Sequence, residues 1–381
     1  MQPLFSIIIP CYNQAIYLPD CVNSLLEQSE QSWEAIIIND GSTDNTEEVA
    51  TEYFLKDNRI KYFEKKNGGL SSARNEGLRH VSGRRIIFMD SDDFFYSNCL
   101  EVVKEKLDQS PSDDYLVIKY GYSHITSDKK KVLRSVAQNS NKQLLPSLFY
   151  GNFGPPNSIC VSKLLCDFAG YFDEELKSVE DWDYWLRIAK SGAQLKEINL
   201  PLVYYRYVNN SMSRNAFVMY ESLLTVIERG PKKDSRIKID SALNKDYDFN
   251  SNRVLQEVLL RSLGVSIMQG KIDQSILFFK EHSPISLNGY KVGDYEYMCS
   301  YLSFRYWYSQ ADIKEVFESI YPNFNLFFNR LGYNKSITNK ALYHVFKSHY
   351  FHRNIFKYGK FIGSVVNFSL RNYNEKFVAY K

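Results

Sequence analysis

Four times in the N-terminal quarter of the chain, a short, mostly apolar strand-like run is followed by a polar cluster. Phe5–Ile9 leads into Pro10-Cys11-Tyr12-Asn13, and Ala35–Ile38 into Asn39-Asp40-Gly41-Ser42. Ile60–Phe63 is followed by Asn67-Gly68-Gly69, and Ile86–Met89 by Asp90-Ser91-Asp92-Asp93. Runs of four or five such residues fit strands covered on both faces. Helix signals lie between them. Pro19 suits a first turn, with Leu18, Val22, Leu25 and Leu26 on one face. Asp44 and Glu47 have capping-box spacing ahead of a helix reaching about Lys56, and Ser71–Arg79 reads as another. Strands alternating with helices imply an α/β fold with a mostly parallel sheet.

In such sheets ligands sit beyond the carboxyl ends of the strands. Each polar cluster taken singly is ordinary turn chemistry. Four of them at four strand exits point to one cleft. No G-x-G-x-x-G follows the first strand and no G-x-x-x-x-G-K-[ST] occurs, which disfavours dinucleotide redox chemistry and P-loop phosphoryl transfer. Asp90-Ser91-Asp92 suggests a hard divalent cation, since Mg²⁺ or Mn²⁺ takes one or two carboxylates and completes its shell with phosphate oxygens and water. The alternative is an acidic turn capping a helix that starts near Ser97.

At 381 residues the chain is long enough for two domains. A net charge of +3 gives no footing for nucleic acid as a partner. The six cysteines are scattered without metal or disulfide spacing and read as reduced thiols. The start lacks the pattern of a signal peptide, and no uninterrupted apolar stretch is long enough to span a bilayer. The expectation is a cytoplasmic protein.

The segments Phe5-Ser-Ile-Ile-Ile-Pro-Cys-Tyr-Asn, Asn39-Asp-Gly-Ser-Thr-Asp-Asn-Thr, Asn67-Gly-Gly-Leu-Ser-Ser-Ala-Arg-Asn-Glu-Gly and Phe88-Met-Asp-Ser-Asp-Asp resemble family 2 of the inverting glycosyltransferases, with the GT-A fold. The resemblance implies a nucleotide-sugar-binding domain over residues 1–215 and a UDP-sugar donor. By it, Pro10 and Tyr12 line the nucleotide pocket, Asp40 bonds the base, and Asn67 and Arg74 lie along the nucleotide and its phosphates. Asp90, with Ser91 beside it, faces the ribose and donor sugar, and Asp92 is the ligand of Mn²⁺ or Mg²⁺.

The likeness runs on through Glu180-Asp-Trp-Asp-Tyr-Trp-Leu-Arg to about Arg214. Trp182, Trp185, Leu186 and Ala189 have helical spacing, so Glu180 and Asp181 open an amphipathic helix ending by Gly192. The resemblance puts Glu180 and Asp181 against the acceptor, with Asp181 as general base. The competing reading is local: Ser178 and Asp181 have capping-box spacing. Relatives commonly carry a metal-binding His where this chain has Val208, leaving Asn209 or water to take that place. The stretch Gln143–Ser162, rich in Gly and Pro, reads as a loop, either an acceptor wall or a rigid connector.

From about Asn215 the alternation gives way to helices, so residues 216–381 are expected to form a helical domain. One helix should end by Gly270, another start at Ile272, and a third run over Asp312–Tyr321 until stopped by Pro322. From Arg330 onward ten Lys or Arg stand against Glu375 alone, with aromatic and aliphatic residues interleaved. A basic aromatic tail of this kind suits an anionic membrane surface, which predicts peripheral association at the inner face of the cell membrane. A solvated helix packed on its own domain, or an oligomer contact, is the alternative. Together these readings give a metal-dependent transfer of a sugar to a hydroxyl of a glycan or lipid-linked oligosaccharide. A sugar nucleotidyltransferase, or a non-catalytic scaffold keeping the fold, is the rival reading.

Overall fold

The computed structural model describes residues 2–110, 114–137, 143–208, 215–286, 289–290, 294–298 and 313–333. Among these the chain alternates β1 (Phe5–Cys11), α1 (Leu18–Leu26), β2 (Trp33–Asn39), α2 (Thr46–Lys56), β3 (Ile60–Glu64), α3 (Leu70–His80), β4 (Arg85–Phe88) and β5 (Phe94–Phe95). Then come α4 (Cys99–Asp108), β6 (Leu116–Ile125), β7 (Val132–Val136), α5 (Leu144–Leu148), β8 (Ile159–Ser162), α6 (Lys163–Ala169), α7 (Glu180–Lys190) and β9 (Gln194–Arg206). The strands form one sheet in the order β3-β2-β1-β4-β8-β6-β9-β5, with β7 added to β6. Through β3, β2, β1 and β4 it is parallel, so the three intervening helices cross over it and the polar strand exits collect along one edge. Beyond β4 the sheet is mixed, with β8 antiparallel to both β4 and β6 and β6 parallel to β9. β1 and β2 are buried along their whole length, which is why Ile7–Ile9 and Ala35–Ile38 read as unbroken apolar runs.

The chain divides into two compact units, Met1–Ser211 with Leu224–Ser251, and Met212–Leu223 with Asn252–Lys381. α8 (Ala216–Arg229) is followed by α9 (Asn252–Met268), α10 (Ile272–His282), α11 (Tyr295–Met298) and α12 (Ile313–Arg330). In the second unit α9 packs on α10, α11 and α12. Gly264 is required there, because a Cβ at that position would stand 1.5 Å from the carbonyl oxygen of Met298.

Four local expectations change. α12 runs through Pro322 rather than stopping at it. Ile320, Phe324, Phe327 and Phe328 are buried at helical spacing, and that packing outweighs the ~3 kcal/mol an interior proline costs. Asp44 makes no capping box; it accepts from Thr46 N and Oγ1 and from Ala15 N, tying the loop after β1 to the loop after β2. The stretch Gln143–Ser162 is only partly loop: it holds α5, a 3₁₀ turn at Pro156–Ser158 and the central strand β8. Helix α7 is buried on nearly every side, polar residues included. Asp183 is paired with Arg187 and Arg236, and Lys190 donates to the Lys232 carbonyl, so charges expected to face solvent are satisfied inside.

The cysteines 11, 21, 99, 160 and 166 are buried and free, and Cys299 lies outside the described residues. No described helix is long and apolar enough to cross a membrane. The basic tail beyond Tyr333 also lies outside the described residues.

Candidate active site

The site begins at the exit of β2. Asp40 is buried, and its carboxylate accepts from Lys65 Nζ at 2.7 Å, Gly68 N at 3.0 Å and Gly69 N at 2.8 Å. The Asn67-Gly68-Gly69 turn therefore folds over Asp40, with Gly69 at φ 88°, and presents the N-terminus of α3. Gly41 is needed for the same turn: a Cβ there would lie 2.8 Å from Asn67 N, and its φ is +70°. Across the cleft, Asn13 in left-handed backbone accepts from Thr43 N at 2.7 Å. Pro10 lies within the buried strand β1, Tyr12 beyond it is 49% exposed, and Asn67 is exposed at the rim.

At the exit of β4 the acidic triplet splits into different environments. Asp90 accepts from Arg74 Nη2 at 2.8 Å. Ser91 is buried and gives its hydroxyl to Gln14, so it braces the loop after β1 from beneath. Asp92 takes no side-chain donor among the described residues, and burial beside the Asp90 charge pushes its carboxyl up to about 7. Asp93 accepts from Arg206 N at 2.7 Å and from Asn157 Nδ2, and burial beside Asp92 and Asp90 raises it far above the carboxylate range. Arg206 closes the arrangement, donating to the Asp92 carbonyl at 2.7 Å and to Asp20 at 2.7 Å.

Arg74 is the junction. It projects from α3 fully buried, with Nη1 donating to Glu180 at 2.5 Å and Nη2 to Asp90. Its guanidinium bridges the end of β4 and the start of α7. Its Nε is buried without a partner, and the Phe172 ring centroid stands 5.4 Å away.

α7 starts from Val179, a β-branched residue at φ 52°. Such backbone costs of order 1–3 kcal/mol and persists only where the surroundings enforce it. Here it turns Glu180 toward Arg74 and sets Asp181 one residue further on. The capping-box alternative is not realised, because the Ser178 hydroxyl is buried with no partner and no side chain caps α7. Asp181 accepts from Trp182 N at 2.7 Å and, at its other oxygen, from Asn152 Nδ2 at 2.7 Å. Burial and the neighbouring Glu180 charge push its carboxyl up to about 7, against the opposing pull of Arg74.

Sequence reasoning missed Asn152, Asp93 and Arg206. The last two stood inside recognised segments and differ from their neighbours only in being paired. Asn152 lay in a stretch whose glycines and prolines conceal any contact. Val208 is described, while Asn209, offered as a substitute metal ligand, lies outside the described residues.

Among the described residues no three His, Cys, Asp or Glu side chains gather as a metal cluster. The donor chemistry still fits a divalent cation of the Mg²⁺ or Mn²⁺ type. Asp92 is an oxygen donor lacking a side-chain partner in a setting that resists its negative charge, and such ions complete their shell with substrate phosphates and water.

Residues 6–162 match the model of glycosyl transferase family 2. An uncharacterized glycosyltransferase of Rickettsia felis is 34% identical over 197 residues, covering 49% of this chain and 32% of the relative. EpsJ of Bacillus subtilis, also an uncharacterized glycosyltransferase, is 38% identical over 130 residues, covering 34% of this chain and 37% of the relative. The chain thus spans less than two thirds of the length of these curated relatives. The crystal structure of S. aureus TarS 1-349 in complex with UDP-GlcNAc aligns with a TM-score of 0.48 and 18% identity, covering 93% of this chain and 92% of that one.

Proposed function

We propose, from the match of residues 6–162 to glycosyl transferase family 2, that the chain is an inverting, metal-dependent transferase. It moves a sugar from a UDP-sugar to a hydroxyl of a glycan or lipid-linked glycan. The observation that carries the reading is the Arg74 junction: one buried guanidinium holds both Asp90 of the strand-exit cleft and Glu180, the residue beside Asp181. A donor group and a base thereby share one rigid mount, as a displacement between two bound substrates needs.

Inversion requires the acceptor oxygen to attack the anomeric carbon opposite the departing nucleotide. Asp181 takes the hydroxyl proton as the new bond forms. A carboxyl pushed up to about 7 is a better base than one near 3.8, and it still ionises near neutral pH. Asn152 and Trp182 N fix its two oxygens, so the free lone pairs point in set directions. On the donor side Asp40 and the Asn67-Gly68-Gly69 turn frame the base end, with Tyr12 exposed beside Pro10. Asp92 would hold a Mn²⁺ or Mg²⁺, which would supply charge neutralisation at the diphosphate leaving group. The basic aromatic tail from Arg330 brings the protein to an anionic membrane surface where a lipid-linked acceptor resides.

Incubation with a panel of UDP-sugars in Mn²⁺ tests the reading. UDP release and a glycoside of inverted anomeric configuration by NMR are expected. Retained configuration, or no turnover of any nucleotide sugar, refutes it.

A further inference from the structure

Next along the chain to Asn152, the residue that bonds Asp181, the first compact unit carries aromatic surface that the chemistry above does not use. Tyr150 is 65% exposed, more than the exposed rings of Tyr12, Tyr171 and Phe54. It stands two residues before Asn152, whose amide donates to Asp181 at 2.7 Å, so the backbones of Tyr150 and Asn152 are within ~7 Å of each other. The segment that returns to this unit, Leu224–Ser251, brings a second ring against it. Phe249 meets Tyr150 edge-on with ring centroids 5.1 Å apart, and Phe149 lies beneath at 5.3 Å from Phe249. Phe149 also contacts Tyr247 at 5.2 Å, and Phe149 is buried while Phe249 is only half-buried. The arrangement has a buried floor and an exposed upper tier.

We propose that Tyr150 and Phe249 form the subsite that holds a pyranose ring of the acceptor glycan next to Asp181. The proposal rests on the glycosyltransferase reading above. A pyranose has a face of axial C–H groups and a rim of hydroxyls. The negative face of an aromatic ring attracts the C–H groups, and the rim needs polar partners at the edge. Both are present. Tyr150 offers an open ring face. Asn152 spends one N–H on Asp181 and keeps a second N–H and its carbonyl for hydroxyls. A sugar that meets both the ring and the Asn152 amide shares that amide with the base that must take its proton. The flanking Gly151 would place an added Cβ in open space, leaving room above the loop. Packing alone accounts for Phe149, which is covered, but not for Tyr150, which covers little and is itself uncovered.

Saturation-transfer NMR on the full chain tests this, with the methyl β-glycosides of glucose, galactose and N-acetylglucosamine as probes. Irradiation of aromatic protons should pass saturation to the ring C–H protons of at least one probe. Tyr150→Ala should weaken that binding about tenfold, and Tyr150→Phe should restore it, as expected for loss and recovery of an aromatic face. Phe249→Leu keeps the volume over Phe149 and should weaken glycoside binding without lowering Tm. UDP binding in Mn²⁺ should be the same in all variants. No saturation transfer to any glycoside from the wild-type protein, or undiminished transfer in Tyr150→Ala, overturns the subsite. Absence of UDP binding in the wild-type protein sinks the transferase reading instead, so the two failures are distinguishable.

Discussion

Replacing Asp181 with Asn separates its chemical role from its structural cost. The side chain keeps its shape, Oδ1 still accepts from Trp182 N, and the Asn152 amide can turn its carbonyl toward the new NH₂. What disappears is a carboxyl whose ionisation the fold resists, rising from 3.8 to about 7. That rise corresponds to about 4 kcal/mol against the ionised form. Because one edge of the side chain reaches solvent, roughly 2 kcal/mol is the expected net effect. The sign follows from proton binding in the two states. Below about pH 4 the carboxyl is protonated whether folded or unfolded, and the substitution gains nothing. From about pH 4 to 7 the unfolded chain ionises first, so wild-type stability falls relative to the variant; above 7 the difference is complete. Asp181→Asn should therefore raise Tm by about 4–8 °C at pH 8 and leave it unchanged at pH 4. Sugar transfer should meanwhile fall by ~10²–10⁴, with UDP affinity retained. Wild-type transfer should rise with pH through about 7 as the base ionises. Calorimetry across pH together with a transfer assay checks both halves. A variant that melts earlier at pH 8, or one that still transfers sugar well, refutes the reasoning.

Other consequences are more direct. Arg74→Met strands Asp90 and Glu180 as partly buried charges and should cost ~3–5 kcal/mol in urea unfolding, partly recovered by adding Glu180→Gln. Asp92→Asn should abolish the Mn²⁺-dependent part of the stabilisation by UDP, which reaches ~2.7 kcal/mol in the wild-type protein at ~100 times Kd; full retention assigns the cation elsewhere. Charge reversal at Lys347, Lys357 and Lys360 should abolish salt-sensitive binding to anionic vesicles while sparing transfer to a soluble acceptor. Vesicle binding unchanged in a folded variant would leave an oligomer contact as the tail's role.

The strand exits were legible because burial on both faces gives β1, β2 and β4 apolar stretches toward their C-terminal ends, and the polar residues after them mark where each strand leaves the core. Asp181 was reachable only through its family likeness; spacing alone favoured a cap with Ser178. The Arg74 bridge was not legible, since nothing local distinguishes a guanidinium that meets Glu180 from one that meets phosphate. β8 was hidden for a different reason. It is four residues long, framed by Pro155, Pro156 and a following helix, and its strand character comes from two neighbours remote in sequence.

The two partners of Arg74 also order the way the site comes together. Asp90 is 16 residues away along the chain and Glu180 is 106. With loop-closure entropy growing as (3/2)RT ln n, the nearer pairing costs about 2.5 kcal/mol and the farther about 4, before constants common to both. A refolding chain therefore completes its strand-exit cleft early and captures the base helix late, and the strained turn at Val179 is held only once that capture is made. In the reverse direction the start of α7 is the first part of the site to open. Amide exchange at Glu180 and Asp181 should outpace exchange in β1 and β2, the mark of a base helix that opens while the strand-exit cleft stays formed.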